Sequence, residues 1–283
     1  MSFSSDLSNL TIIDESNWQQ FVKPRTANQE YSVSGYIPRN LRTHPKGYSA
    51  AVPPFPKELY IPRSEWPRLI EEKQKEGTRL SDIIKRAGSH VRWLNQNPTN
   101  YCWCYAVIHG IMIVRLVANF PFVRLSPFGV ACPIKNYQNN GGWGTQAAEY
   151  AAIHGCPDEA FWPQGTLGPD NGSRNMAAIN QGRQYFESSR ENALLHRIQQ
   201  WYDCSDDFDA KGSLMLRNIP VPSGYSWMGH EMCSVDLTMD SSGRFGCTDM
   251  NTYTDDGSFD GYNLTESRGT GEDQSAPLLI TAI

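Results

Sequence analysis

Residues 101–117 read Tyr-Cys-Trp-Cys-Tyr-Ala-Val-Ile-His-Gly-Ile-Met-Ile-Val-Arg-Leu-Val. The run suits a helix of more than four turns, and it has no polar face. Only His109 and Arg115 interrupt it with strongly polar groups. A helix that is apolar all round cannot lie on a surface, so the rest of the chain must enclose it. No apolar run reaches the roughly 20 residues of a membrane span, so the enclosure is protein and no membrane partner is expected. At 283 residues the chain is long enough to bury a real core, as one large domain or two moderate ones.

The flanking sequence predicts what encloses it. Ser64 reads as the cap of a helix running to about Glu76, with Trp66, Leu69 and Ile70 as its apolar stripe and Gly77 as its stop. A shorter helix follows from Leu80 to Arg86 and ends at Gly88. Beyond the central helix, Leu125-Ser126-Pro127 leads into a polar loop that ends in Gly141-Gly142-Trp143-Gly144. Thr145 reads as the cap of a helix from Gln146 to His154, stopped by Gly155. Residues 175–202 again read as helical. After Cys204 the pattern turns to strands: Cys233, Val235 and Leu237 alternate, then Phe245 and Cys247, then Tyr262 and Leu264. Helices first and strands later predict an α+β fold with two segregated halves.

The front of the chain has another texture. Residues 1–62 show no sustained period and are punctuated by Pro24, Pro38, Pro45, Pro53, Pro54, Pro56 and Pro62. They read as an extended arm that lies on something else. Residues 1–90 carry 13 basic and 10 acidic side chains, whereas residues 201–283 carry 4 basic and 14 acidic. A basic front can therefore lie on an acidic back, or dock on an assembly partner. The net charge of −5, with no basic stripe, argues against a general nucleic-acid binder. The expected organisation is an extension over 1–90 and a separate folded domain over 91–283.

The start, Met1 to Leu10, lacks the basic and apolar regions of a secretory leader. The seven cysteines (102, 104, 132, 156, 204, 233 and 247) are odd in number and form no paired C-x-x-C framework. A disulfide scaffold and a zinc site are not expected, and the compartment reads as a reducing one such as the cytoplasm. Six of the seven read as packing thiols. Cys104 points elsewhere on the helix from its neighbour Cys102. His109 lies two turns along and reads as a satisfied core histidine. His154 is a helix C-terminal residue favoured by the dipole. Asp255, Asp256 and Asp260 lack the spacing of a calcium loop.

Cys102 is different. It opens the buried helix after the polar turn Asn95 to Asn100, where free N–H groups and the helix dipole favour a thiolate. A reactive thiolate needs an adjacent base, and the base needs an orienting group. His230 opens a strand after Met228-Gly229, and Asn251 follows in the next strand region. Adjacent strands can place the imidazole and amide side by side. Gln96 can donate its amide to an oxyanion, with the Cys102 backbone N–H as second donor.

These residues, in this order, resemble the papain-like cysteine proteases. Gln96, five residues, Cys102-Trp103 and then Tyr105-Ala106 are similar to the family's active-site helix. Leu125-Ser126 resembles its Leu-Ser, and Asn140-Gly141-Gly142-Trp143 its substrate wall. Gly229-His230 is similar to the catalytic histidine segment, and Asn251-Thr252-Tyr253 stands for Asn-Ser-Trp. The resemblance implies a two-lobed papain-like fold over about 91–283. It implies Cys102 as nucleophile, His230 as general base and acid, Asn251 holding the imidazole and Gln96 at the oxyanion. The Gly141-Gly142 backbone would pair with an extended peptide or protein substrate, with Trp143 lining a subsite. It implies no cofactor and no metal.

The departures are specific. Thr99 and Asn139 stand where the family commonly has a disulfide. Tyr253 replaces the shielding Trp, Thr254-Asp255 replaces Trp-Gly, and Glu231 follows His230 where a small residue is usual. The strand section from Pro220 to His230 is short. Family members often carry an inhibitory front segment, for which residues 64–88 have the helical character. The turn from Pro98 to Trp103 also resembles short papain-like proteins of tailed bacteriophages, which implies a virion-associated alternative. In that alternative the chain is an assembly component with a vestigial or self-processing site. A transglutaminase-like enzyme is a third reading, set against by Asn in place of Asp.

Overall fold

A computed structural model describes residues 11–12, 17, 35–40, 42–43, 55–88, 94–96, 99–164, 176–204, 207–253, 262–265 and 273–280. Strand β1 is Thr11–Ile12. A 3₁₀ turn, Arg63–Glu65, leads into α1, Trp66–Glu76. Pro67 in its first turn needs no N–H partner there, and Gly77 closes it in a left-handed conformation. Ser64 therefore lies in the turn before the helix and does not cap it. Helix α2, Leu80–Ala87, ends at Gly88 as expected.

The apolar run becomes α3, Cys102–Val117, with every residue from Cys102 to Arg115 buried. Its shell is more helical than the sequence pattern predicts. The stretch expected as a polar loop contains α4, Phe128–Ile134, which buries Phe128, Val130, Ala131 and Cys132. Seven residues containing Pro133 are too few to show a helical period. Helix α5 is Gly144–His154, with Trp143 rather than Thr145 in the cap position. The long helical reading of 175–202 divides: α6 is Met176–Leu194, and Ile198–Asp203 is strand β2.

After Cys204 the chain first makes another helix, not a strand. This is α7, Phe208–Leu216, capped by Asp207, whose side chain accepts a 2.9 Å bond from the Ala210 N–H. The strands β3 (Val221–Tyr225), β4 (His230–Met239), β5 (Phe245–Met250), β6 (Tyr262–Thr265) and β7 (Asp273–Ile280) follow. The sheet runs β1-β6-β5-β4-β3-β7-β2. Strand β2 is sheet because β7 pairs with it from the far end of the chain, Tyr202 opposite Ala276. Local pattern cannot report that pairing.

Two cores result. One surrounds α3 and takes in Leu80, Ile84, Phe128, Ala147 and Trp162. The other lies between α1, α7 and the sheet, built on Phe55, Trp66, Phe208, Leu214 and Leu237. The front helices contribute to both, so residues 55–88 are packed into the body. Basic front meets acidic back where Arg63 Nε lies 2.5 Å from Asp209 and Tyr60 donates to Asp207. No described helix is long and apolar enough to cross a membrane. The Asn97-Pro98 step, the acidic turn at Asp255, Asp256 and Asp260, and most of the arm lie outside the described residues.

Candidate active site

Cys102 is the first residue of α3, and the turn before it is tied down. The Tyr101 hydroxyl donates to the Gln138 carbonyl at 2.7 Å. Asn100 donates two bonds to Asn139, from its N–H to Asn139 Oδ1 at 2.6 Å and from Nδ2 to the Asn139 carbonyl at 2.9 Å. These bonds join the two segments that a disulfide joins in the resembling family. The missing cysteines are visible in the sequence; this replacement is not.

His230 opens β4 opposite Tyr225 of β3. Gly229 before it turns the chain at φ 58°, a conformation that a side chain would strain. Asn251 directly follows β5, and its Oδ1 lies 3.0 Å from His230 Nε2. The Tyr253 N–H also points at Oδ1, at 3.3 Å. The Tyr253 N–H can only donate, so the atom that receives it is the amide oxygen, an acceptor only. Nε2 therefore carries the proton in the neutral ring, and Nδ1 has the free lone pair. Nδ1 has no hydrogen-bond partner. Tyr253 stacks on the imidazole, ring centroids 5.2 Å apart and planes 14° apart, so an aromatic covers the pair where the resemblance implied a Trp.

Gln96 joins the same cluster. Its backbone N–H donates to the Thr252 carbonyl at 2.8 Å, and Asn95 bridges to Tyr253. The Thr252 hydroxyl donates to Gln96 Oε1 and lies 3.4 Å from His230 Nε2. Gln96 Nε2 gives one proton to the Thr99 carbonyl at 3.0 Å, which leaves the second for a ligand. Thr252 is the link that sequence reasoning misses. In the sequence it shows only as a replacement for Ser.

The structure thus brings Gln96, His230 and Asn251 into one hydrogen-bonded group, all buried. Cys102 lies beside them without a hydrogen bond to His230. Its sulfur faces the backbone N–H groups of Glu231, Trp103 and Tyr36. Burial pushes the thiol well above its ordinary range, and the Glu231 carboxylate pushes the same way, against those amides. The expected thiolate is therefore not the resting form. Burial also pushes His230 down to about 4, opposed by its bond to Asn251. The resting pair is a neutral thiol and a neutral imidazole.

The cover responsible is the chain's own arm. Gly142 donates to the Gly35 carbonyl at 2.8 Å, and the Ile37 N–H returns a 2.8 Å bond to the Gly142 carbonyl. This makes Tyr36 and Gly142 a parallel bridge. On the opposite wall the Tyr36 N–H reaches the Gly229 carbonyl at 3.3 Å. A Cβ on Gly224 would stand 2.2 Å from the Tyr36 ring, and one on Gly141 would stand 2.4 Å from the Gly35 carbonyl. Residues 35–37 thus lie between Gly142 and Gly229, bonded to both walls of the cleft. Trp143, half-buried, completes the helical wall, with the Lys135 ammonium 5.2 Å from its ring centroid and 4.9 Å from that of Trp103.

With this geometry in view, known structures supply a comparison. Xylellain, a cysteine protease from Xylella fastidiosa, is similar over 91% of this chain and all of its own, at TM-score 0.54 and 14% identity. Digestive procathepsin L 3 of Tenebrio molitor larval midgut matches 94% of this chain and 80% of its own, at 0.52 and 12%. Digestive procathepsin L2 of the same larval midgut matches 99% and 77%, at 0.50 and 14%. The fold is papain-like. No protein-family model matches the sequence, and no curated protein matches it. The papain-like, two-lobed α+β architecture is therefore as the sequence predicts, and the likeness lies in three dimensions more than in residues. None of these structures bears on the likeness to phage proteins.

Neutral burial of His230 has a pH consequence. Its pKa is lower in the closed protein, about 4, than the 6.5 of an exposed histidine. The unfolded chain thus binds the extra proton between those values, and stability rises with pH there. The contribution, roughly 3 kcal/mol, is fully present above about pH 6.5. It is lost as pH falls towards 4. Urea midpoints at pH 7.5 and pH 5 should therefore differ more for the wild type than for His230→Gln. Equal pH dependence in the two proteins would contradict the buried neutral state.

Proposed function

We propose that the chain is a papain-type cysteine peptidase held closed by residues 35–40 of its own arm. One observation carries the reading. The imidazole is fixed through Nε2 by Asn251 while Nδ1 remains unengaged, one residue from the N–H that faces the Cys102 sulfur. In the open form, Nδ1 accepts the thiol proton and the Cys102 sulfur attacks a peptide carbonyl carbon. The carbonyl oxygen becomes an oxyanion, met by the second Gln96 amide proton and the Cys102 N–H. The proton on Nδ1 passes to the leaving amine as the C–N bond breaks. Water then hydrolyses the thioester, with His230 again as base. Asn251 keeps the ring in the tautomer this sequence needs.

The closed state supports inactivity by the same physics. Desolvation holds both groups neutral, and no hydrogen bond carries the proton between them. Departure of residues 35–37 admits water, lowers the thiol pKa and raises that of the imidazole. The test is labelling with an electrophilic peptide probe after the arm is loosened by Tyr36→Gly. An adduct on Cys102 is expected at neutral pH. It should be lost in Tyr36→Gly/Cys102→Ala and slowed on the order of a hundredfold in Tyr36→Gly/Asn251→Ala.

A second reading is an interaction protein on the same fold. The Glu231 carboxylate favours it, because a negative charge beside Cys102 opposes the thiolate. The same experiment separates the two: an opened cleft with no Cys102 adduct leaves only the interaction protein.

A further inference from the structure

The arm that covers Cys102 also carries a buried charge. The Arg39 guanidinium is placed in a recess made by the body of the protein. Nη1 lies 2.8 Å from Asp203 Oδ2 and Nη2 lies 3.2 Å from Asp203 Oδ1, while Nη1 also reaches Thr145 Oγ1 at 3.3 Å. The two charged side chains are each 4% exposed. Two parallel N–H bonds onto one carboxylate are the fork geometry that a guanidinium makes and an ammonium cannot.

The recess and its occupant have different origins. Asp203 ends β2, where it stands opposite Ser275 of β7. Thr145 lies in the first turn of α5. Both are fixed by secondary structure of the body. Arg39 arrives from the arm, three residues after Tyr36, whose segment is bonded to Gly142 on one wall and to Gly229 on the other. A segment whose backbone is held as a peptide in the cleft has therefore placed one side chain in a buried acidic recess.

We propose that the Asp203–Thr145 recess is a specificity subsite for a basic side chain, arginine above lysine, of an incoming peptide, with Arg39 as its resident occupant. Its use in cleavage rests on the peptidase reading; its use in binding does not. An apolar side chain there would take from the buried Asp203 carboxylate both N–H bonds that Arg39 now gives it, a strongly unfavourable exchange. An acidic one would add repulsion. A lysine offers one point of contact where arginine offers two. A guanidinium-bearing peptide therefore competes with the arm for the cleft.

The test uses the full chain with Arg39→Ala, which empties the recess. The probe is the blocked hexapeptide Gly-Tyr-Ile-Pro-Arg-Asn, the sequence of residues 35–40, and the same peptide with citrulline, a neutral isostere, for arginine. The arginine peptide should bind at least tenfold more tightly, as expected for a bond to a charged group. The preference should collapse in Arg39→Ala/Asp203→Asn, which also guards against poor folding, because it removes the carboxylate together with the guanidinium bound to it. In the wild type, where Arg39 fills the recess, the arginine peptide should bind more weakly than to Arg39→Ala. Equal affinities of the two peptides for Arg39→Ala, or a preference that survives Asp203→Asn, would overturn the proposal. Binding is read without turnover, so a retained preference in a protein that cleaves nothing counts against the peptidase reading alone.

Discussion

Gly35→Ala in the full-length protein is expected to expose Cys102. A Cβ at position 35 would stand 1.8 Å from the Asn100 carbonyl oxygen. The obstacle is backbone, and Asn139 holds it with two hydrogen bonds, so the arm must move. The arm then loses the bonds from Gly142 to Gly35 and from Ile37 to Gly142, and the bond from Tyr36 to Gly229. At about 1 kcal/mol net for each bond, opening becomes easier by about two to three kcal/mol, on the order of a hundredfold in the open population. The measurement is iodoacetamide alkylation under native conditions, resolved cysteine by cysteine. All seven cysteines are buried and free, so the other six serve as internal controls. Selective gain at Cys102 marks a removable cover. An unchanged Cys102 rate would refute the cover, and a rise at all seven together would show that the arm is structural to the whole fold.

The parts of this site that are legible in the sequence are the local ones. Gln96 and Cys102 share one turn and one helix start, so their spacing carries their geometry. His230 is legible because Met228-Gly229 announces a turn and Cys233, Val235 and Leu237 announce the strand after it. Asn251 requires only that the next strand lie alongside. What is not legible depends on partners far away in the chain. Strand β2 reads as the end of a helix because β7, which makes it a strand, lies about 75 residues on. Tyr36 and Arg39 have no local signal at all. Only the charge difference between front and back hints that the arm lies on its own protein.

The thiolate is the instructive failure. The rule that a helix N-terminus favours a thiolate is sound, and Cys102 does occupy that place. Here burial outweighs it, and Glu231 adds to burial. The cover that causes the burial comes from Tyr36, 66 residues upstream, which no window around Cys102 contains. Local reasoning describes the helix start, and its cover needs the fold.

Lys211→Met is expected to be among the most destabilising single substitutions in the chain. Lys211 on α7 is fully buried. Its Nζ donates to the Tyr225 hydroxyl at 2.9 Å, and that hydroxyl lies 3.2 Å from Asp249 Oδ1 and 3.3 Å from Oδ2. Ser234 also donates to Asp249. The group joins α7 to β3, β4 and β5, the strands that carry His230 and lead into Asn251. Burial raises the Asp249 pKa, and Lys211 opposes that rise. Removing the ammonium leaves the carboxylate uncompensated, a loss of about 3–5 kcal/mol, or roughly 10 °C in Tm for a chain of this size. The double variant Lys211→Met/Asp249→Asn should recover much of that loss, because a buried pair replaced as a whole is often nearly neutral. Asp249 should take up a proton in the single variant, so its deficit should shrink between pH 7 and pH 5. A single variant as stable as the wild type, or a double variant no better than the single, would mean that Lys211 does not hold Asp249 in its charged form. In that case the strands around the imidazole are braced by packing alone.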